Sequence, residues 1–407
     1  MSAVARGVVP PGRVVGLDVA RCLALVGMIA THALVASTTD GGVTLVQSVA
    51  GGRASALFAV LAGVSMALMS GGTHPLHDRA RAGVSAGLAV RALIVAAIGL
   101  VLGSLDTTIA IILTYYGVLF ALGIAFIGLG ARSLALLATV WCVAAPAVSH
   151  LLRPALPAPS YDSPTFAMLG DPGSLLSELL FTGYYPAVPW LTYLLAGMAV
   201  GRLDLRRAGT ALRLLVLGVA VAVVADVVSG LLVDRPGVRA TLARTLTGPH
   251  EPGGLADSLE HGLYGTTPTG SWWWLATGAP HTATPFDLAH TVGSALAVIG
   301  ACLLLTRVLP AVWAVVFGAG AMTLSLYTLH VVMRTPSLLP DDDVETFTTH
   351  VVVVLVVGAA FRLAGRSGPL ERMTVLAAGA ARRRVSGPGP RSSPGRRSSA
   401  PPSSRRR

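Results

Sequence analysis

The chain has 407 residues, of which 53 % are hydrophobic and 12 % charged, and its mean hydropathy is +0.69. A soluble globular domain carries roughly 25 % charged residues, so the composition excludes that class and predicts an integral membrane protein. The formal net charge of +11 rests on 30 basic residues, all arginine, nine of them in the last 26 positions and most others in short loops; arginine so placed is a topology signal and points away from nucleic acid as a partner.

A bilayer core takes about 20 consecutive apolar residues as one helix. Ten such runs occur, near 16–36, 54–70, 84–104, 108–128, 133–151, 185–203, 210–233, 287–306, 311–333 and 347–364. They predict an all-α, polytopic helix bundle of about ten transmembrane helices in a cell membrane. The first run is longer than the apolar part of a signal peptide and is interrupted by Asp18 and Arg21, so it reads as a retained helix. Arg6 and Arg13, Arg79 and Arg81, Arg132, Arg202 to Arg213, Arg307 and the tail fall in alternate connections, which places both termini in the cytoplasm. Three units follow: a cytoplasmic segment 1–15, a transmembrane domain 16–380 and an Arg/Ser/Pro-rich tail 381–407. The tail has almost nothing to bury and is expected to be disordered, with its arginines favouring the anionic lipids of the inner leaflet.

Cys22, Cys142 and Cys302 lie singly in apolar runs and read as small core residues. His74 and His77 form an HxxH without further ligands nearby, so no metal site is expected. The long outer connections 152–184 and 234–286 are candidate functional loops. In the second, Leu255, Leu259 and Leu263 suggest a short helix lying on the membrane surface, and Trp272, Trp273 and Trp274 suit an interfacial belt.

On this topology, polar side chains converge near the outer leaflet. His32 ends the first run; Arg53 opens the second; Tyr115 and Tyr116 lie about two turns into the fourth; Tyr184 and Tyr185 open the sixth; Tyr327 and His330 end the ninth, with Arg334 beyond. The string "PHTATPFDLAH" adds His281, Asp287 and His290. Ionisable residues in spans are costly and mark interior or wet sites. Asp287 and His290, three apart, share a helical face, so the carboxylate could orient the imidazole as a general base; helix capping is an equally good account of Asp287. At the inner side Asp18 and Arg21 can pair, with Arg91 two turns into the third run. These form either a packing network or a site for an anionic group. Asp226 has no evident partner in the sequence.

The first run, "GLDVARCLALVGMIATHAL", resembles the first helix of bacterial membrane proteins related to heparan-alpha-glucosaminide N-acetyltransferase, with Asp18, Arg21, Met28 and His32 at the matching positions. "GRASALFAVLAGVSMAL" is similar to the family's second helix, with Phe58, Gly63 and Ser65 in place. "TGYYPAVPWLTYLLAGMAVGRLDL", "GTTPTG", "AMTLSLYTLHVV" and "SGPLERM" extend the resemblance over about 13–378. Cys22 stands where the family has glycine, and Arg53 where the acetyltransferase has an acidic residue.

The resemblance implies a transmembrane acyltransferase. It would take an acyl group from cytosolic acetyl-CoA or another acyl-CoA, as co-substrate and with no bound cofactor, to an amine or hydroxyl of a glycan or lipid-linked acceptor at the outer face of a bacterial inner membrane. By position it gives His32 the catalytic role; on the residues alone, His290 with Asp287 is a second candidate base. Arg53, Tyr115, Tyr116, Tyr185, His281 and His330 would bind the acceptor, and Asp18, Arg21 and Arg91 the donor. A transporter or flippase of a small solute or lipid uses the same kind of polar cluster, and a non-catalytic scaffold or sensor is the third reading.

Overall fold

A computed structural model of the chain describes residues 9–37, 42–247, 253–339 and 341–386. Arg6 and the tail beyond residue 386 lie outside the described residues. All described elements are helical, apart from an isolated bridge between Ser37 and Val43. In chain order they are α1 (Val15–Ala33), α2 (Leu45–Ala50), α3 (Arg53–Met69), α4 (Asp78–Gly103), α5 (Leu113–Gly123), α6 (Ala131–Leu152), α7 (Pro172–Ser177), α8 (Ala187–Gly201), α9 (Ala208–Val233), α10 (Val238–Arg244), α11 (Gly254–His261), α12 (Pro285–Leu305), α13 (Pro310–Val316), α14 (Thr323–Met333), α15 (Val344–Leu363) and α16 (Pro369–Ser386).

Among the described residues, seven helices are long and apolar enough to cross a membrane: α1, the α2–α3 unit, α4, α6, α9, α12 and α15. The other three expected spans carry shorter apolar helices, Leu113–Phe126, Ala187–Gly201 and Thr323–Met333. The run 311–333 is broken, because a 3-10 turn at Gly318–Ala321 separates α13 from α14. Small residues explain the break: a Cβ on Gly320 would strike the Asp18 backbone, and one on Gly318 would lie 2.5 Å from the Gly358 carbonyl. Three backbones from α1, α15 and the turn therefore meet where only hydrogen fits.

Burial sorts the helices. In α1, 67 % of the apolar window is buried within the protein, against 22 % in α9, so α1 is central and α9 peripheral. The tightest central seam is α3 on α8. A Cβ on Gly63 would overlap the Leu194 carbonyl and come within 3.0 Å of Gly197 Cα, and one on Gly197 would overlap Val60. Small residues at such crossings let dispersion and close backbone approach hold helices together without a hydrophobic drive. Gly63→Leu is expected to destabilise the protein by about 3 kcal/mol through overpacking; a thermal unfolding curve in detergent unchanged from wild type would refute it.

Three loop expectations change. Leu255 and Leu259 on α11 pack with Leu263 against Val233, Val238, Leu242, Leu246 and Trp274, a small extramembrane core, so this face is covered by protein and not free for a membrane surface. Trp274 belongs to that core, with its indole N–H on Thr245 Oγ1 at 3.0 Å, while Trp272 and Trp273 stay exposed as a belt requires. Residues 381–386, expected in a disordered tail, close α16 instead. Glu371 on that helix accepts hydrogen bonds from the Leu324 and Ser325 amides at 2.7 and 3.1 Å, capping the broken end of α14.

Candidate functional site

Two cavities approach each other along the axis of α1. The first lies at the His32 end of the bundle, has about 230 Å³ of space, and is lined by His32, Gln47, Tyr184, Tyr185, Tyr264, His281 and Tyr327 among others. The second, about 100 Å³, lies toward the Asp18 end and is lined by Arg21, Phe58, Ser65, Arg91, Tyr116, Phe120 and Tyr327 among others. Tyr327 is a wall of both. Among the described residues its hydroxyl makes no side-chain hydrogen bond, and it sits beside the Ile112 backbone.

At the His32 end, α1 and α14 finish and α15 begins, which brings three imidazoles together. His32 Nδ1 lies 3.1 Å from His330 Nε2, and His330 Nδ1 lies 2.7 Å from His350 Nδ1. Among the described residues His32 Nε2 has no partner, and the ring borders the cavity. His281 enters from the loop before α12. It has a positive φ of 54°, followed by Ala283 at 50°, a conformation that non-glycine residues adopt at a cost and that is found at functional sites. Its ring packs on Tyr184 at 4.8 Å and edge-on to Tyr185 at 5.9 Å. Burial pulls its pKa down to about 4, so it stays neutral at pH 7.

Asp287 and His290 do not form a pair. Asp287 accepts the Thr282 and Ala283 amides at 3.1 and 2.9 Å, and Thr284 Oγ1 accepts the Asp287 amide at 3.1 Å, a reciprocal cap with Pro285 at the first helical position. This cap holds the loop that presents His281. His290 Nδ1 donates to the Ala222 carbonyl at 3.2 Å and its Nε2 accepts from Arg53 Nε at 3.0 Å. Both ring nitrogens are engaged, so no lone pair remains for a base, and neither residue lines the His32 cavity. Arg53 also donates to the Ser48 carbonyl at 2.6 Å. Asp226 is exposed on the outside of α9.

The tyrosines divide among sites. Tyr185 lines the His32 cavity, Tyr116 lines the Arg21 pocket and donates to the Ser55 carbonyl at 3.1 Å, and Tyr115 lines a side crevice with Glu178. Both Glu178 oxygens accept from Ser160 Oγ at 3.0 Å, and burial raises its pKa. His330 stands behind His32, outside the cavity wall.

At the other end Asp18 is buried and ringed by arginines: Arg13 Nε at 2.5 Å, Arg21 Nη1 at 3.1 Å and Arg362 Nη2 at 3.5 Å. One carboxylate offsets one of three cations, which leaves the region positive. Arg21 Nη2 reaches on to Ser65 Oγ at 2.9 Å, and Arg91 touches Met69 Sδ at 3.7 Å in the same pocket. Asp18 is thus the counter-ion that orients Arg21, and the two pocket arginines are what an anion would meet.

A family model described as heparan-alpha-glucosaminide N-acetyltransferase, catalytic, matches residues 13–225, slightly more than half of the chain. The chain belongs to this family. It is a multi-pass, acyltransferase-like membrane protein. The heparan-alpha-glucosaminide N-acetyltransferase match holds His32, Arg21, Ser65, Arg91, Tyr184 and Tyr185; His281, Tyr327, His330 and His350 lie beyond it. No curated protein matches the chain. The sequence reading missed His350, Arg362 and Gln47. His350 is legible: it sits less than one turn into the run 347–364, which starts at the end of the bundle where His330 lies.

Proposed function

We propose that this protein transfers an acyl group from cytosolic acyl-CoA to an amine or hydroxyl acceptor, glycan or lipid-linked, at the outer face of the cell membrane. The observation that carries the reading is the shared wall: Tyr327 lines both a cationic, largely apolar pocket and a histidine-lined cavity. Orientation is part of the proposal. The Asp18 end collects Arg13, Arg21, Arg202, Arg206, Arg307 and Arg362, which favours the cytoplasm. Arg21 and Arg91 would hold donor oxygens by charge-assisted hydrogen bonds. The apolar lining from Phe58 to Phe120 would take the acyl-bearing arm. Once the thioester passes Tyr327, its carbonyl would lie in the His32 cavity. His32 Nε2 would accept the proton that the acceptor loses as it attacks. Tyrosine hydroxyls there would donate to the developing oxyanion.

Acetyl-CoA binding to the purified protein, read by calorimetry, tests this. Arg21→Ala is expected to weaken binding about tenfold or more, since a hydrogen bond to a charged group contributes about 1.5–3 kcal/mol. The fold should survive, because Asp18 keeps Arg13 and Arg362. Failure of wild type to bind acetyl-CoA and longer acyl-CoAs would overturn the reading in favour of solute transport.

A further inference from the structure

His32, His330 and His350 come from α1, α14 and α15 and stand in line. The rings of His32 and His330 are parallel to within 7°, and that of His350 is turned by 79° from His330. His330 and His350 are fully buried. Their ring nitrogens face one another in pairs, at 3.1 and 2.7 Å, so the line is a hydrogen-bonded chain.

A neutral imidazole has one donor and one acceptor nitrogen. Arg334 follows His330 by one turn, just past the end of α14, and its guanidinium pairs with Asp342 at 2.6 Å. A second charge beside it, away from water, is costly, so the chain rests neutral. His330 must then donate at one nitrogen and accept at the other. The three tautomers are therefore locked together. If His32 donates from Nδ1, His330 accepts at Nε2 and donates from Nδ1, His350 accepts at Nδ1, and the His350 proton sits on Nε2. That nitrogen has no partner among the described residues.

Resting on the acyl-transfer reading, we propose that His330 and His350 are positioning residues that hold His32 as its Nδ1–H tautomer, which leaves Nε2 free to take the acceptor's proton. As the acceptor's lone pair bonds to the thioester carbonyl carbon, its N–H or O–H bond breaks and the proton passes to His32 Nε2. When the C–S bond breaks, sulfur keeps the electron pair and takes that proton from His32 Nε2. The products are acylated acceptor and free thiol, with the chain restored.

Nuclear magnetic resonance of the full-length protein labelled with [15N]histidine, in detergent, tests this without turnover. The expected result is His32 protonated at Nδ1, with 15N–15N couplings across both N–H···N bonds. His350→Phe should shift His32 toward the Nε2–H form. His350→Gln, whose carbonyl can accept from His330 Nδ1, should restore it. A His32 already in the Nε2–H form, absent couplings, or His32 signals that are the same in the His350→Phe and wild-type proteins would each overturn the inference. If His350→Phe does not fold, the couplings and the glutamine variant decide. A protein that failed the acetyl-CoA test could still pass this one, so the two failures are distinguishable.

Discussion

His32→Ala is expected to lower acetyl transfer from acetyl-CoA at least a hundredfold while the protein still folds. General acid–base groups contribute typically ~10²–10⁴ in rate. His32 borders the cavity with Nε2 unpartnered among the described residues and its other nitrogen fixed by His330. The stability cost is small by comparison, about 1 kcal/mol for one hydrogen bond. His32→Gln separates the roles: its amide can keep a contact with His330 but cannot take a proton at neutral pH. The assay follows thiol release with glucosamine and hydroxylamine as probe acceptors, beside a melting curve for each variant. His290→Ala, run in parallel, is expected to lose less than tenfold, because Arg53 and Ala222 occupy both of its nitrogens. Full activity in His32→Gln would end the general-base assignment.

The contrast between those histidines shows what the sequence could and could not deliver. Helical periodicity and apolar length placed His32, His281, His290 and His330 at one level of the bundle, and they do share that end. Depth along a helix is set by residue number and rise, so it is legible in the chain. Azimuth is not. Whether His290 faces His32 or turns to Ala222 depends on how α12 is rotated against α9, and that rotation is fixed by close packing: a Cβ on Gly293 would lie 2.6 Å from the Ala222 amide. Residues three apart share a helical face, so the sequence allows Asp287 either a dyad with His290 or a cap on its own helix, and the structure takes the cap. Two backbone amides of the preceding loop claim the carboxylate first. A buried carboxylate goes where donors are densest, and the start of a helix supplies them in excess.

The Asp18 end is more legible. The sequence alone leaves Asp18, Arg21 and Arg91 open between packing and anion binding, and the structure separates them. Asp18 is enclosed by Arg13, Arg21 and Arg362 and has no capacity for a ligand, whereas Arg21 and Arg91 face a pocket. Arg362 comes from 344 positions later in the chain, a contact that no local pattern predicts.

Arg202→Ala is expected to destabilise the protein more than any site variant, by on the order of 4 kcal/mol. The sequence reading counted Arg202 only as a charge in a loop. In the structure it is buried at the end of α8, and its guanidinium has no carboxylate partner among the described residues. It donates to the carbonyls of Leu129 at 3.1 Å, Ala67 at 2.9 Å, Ser70 at 3.3 Å, Gly72 at 2.9 Å and Ile127, and to Ser70 Oγ at 2.9 Å. Those carbonyls belong to the end of α3 and to the turn after α5, where helix ends carry the negative end of the helix dipole; Ala67 and Ser70 also accept from the Gly72 and Leu76 amides. The charge is thus met by dipoles. Removing the side chain takes the donor from the Gly72, Ile127 and Leu129 carbonyls at about 1–3 kcal/mol each, partly relieved by water. Arg202→Lys has three donors for a site that uses a planar fork, so it should recover part of the loss and not all of it. Thermal unfolding in detergent is expected to rank wild type above Arg202→Lys above Arg202→Ala, with the alanine variant lower by about 5 °C or more. Because Met69 at the end of α3 lines the Arg21 pocket, acetyl-CoA binding should weaken in the same order. An alanine variant that melts with wild type would mean that water replaces the guanidinium, and that this end of the bundle is wet.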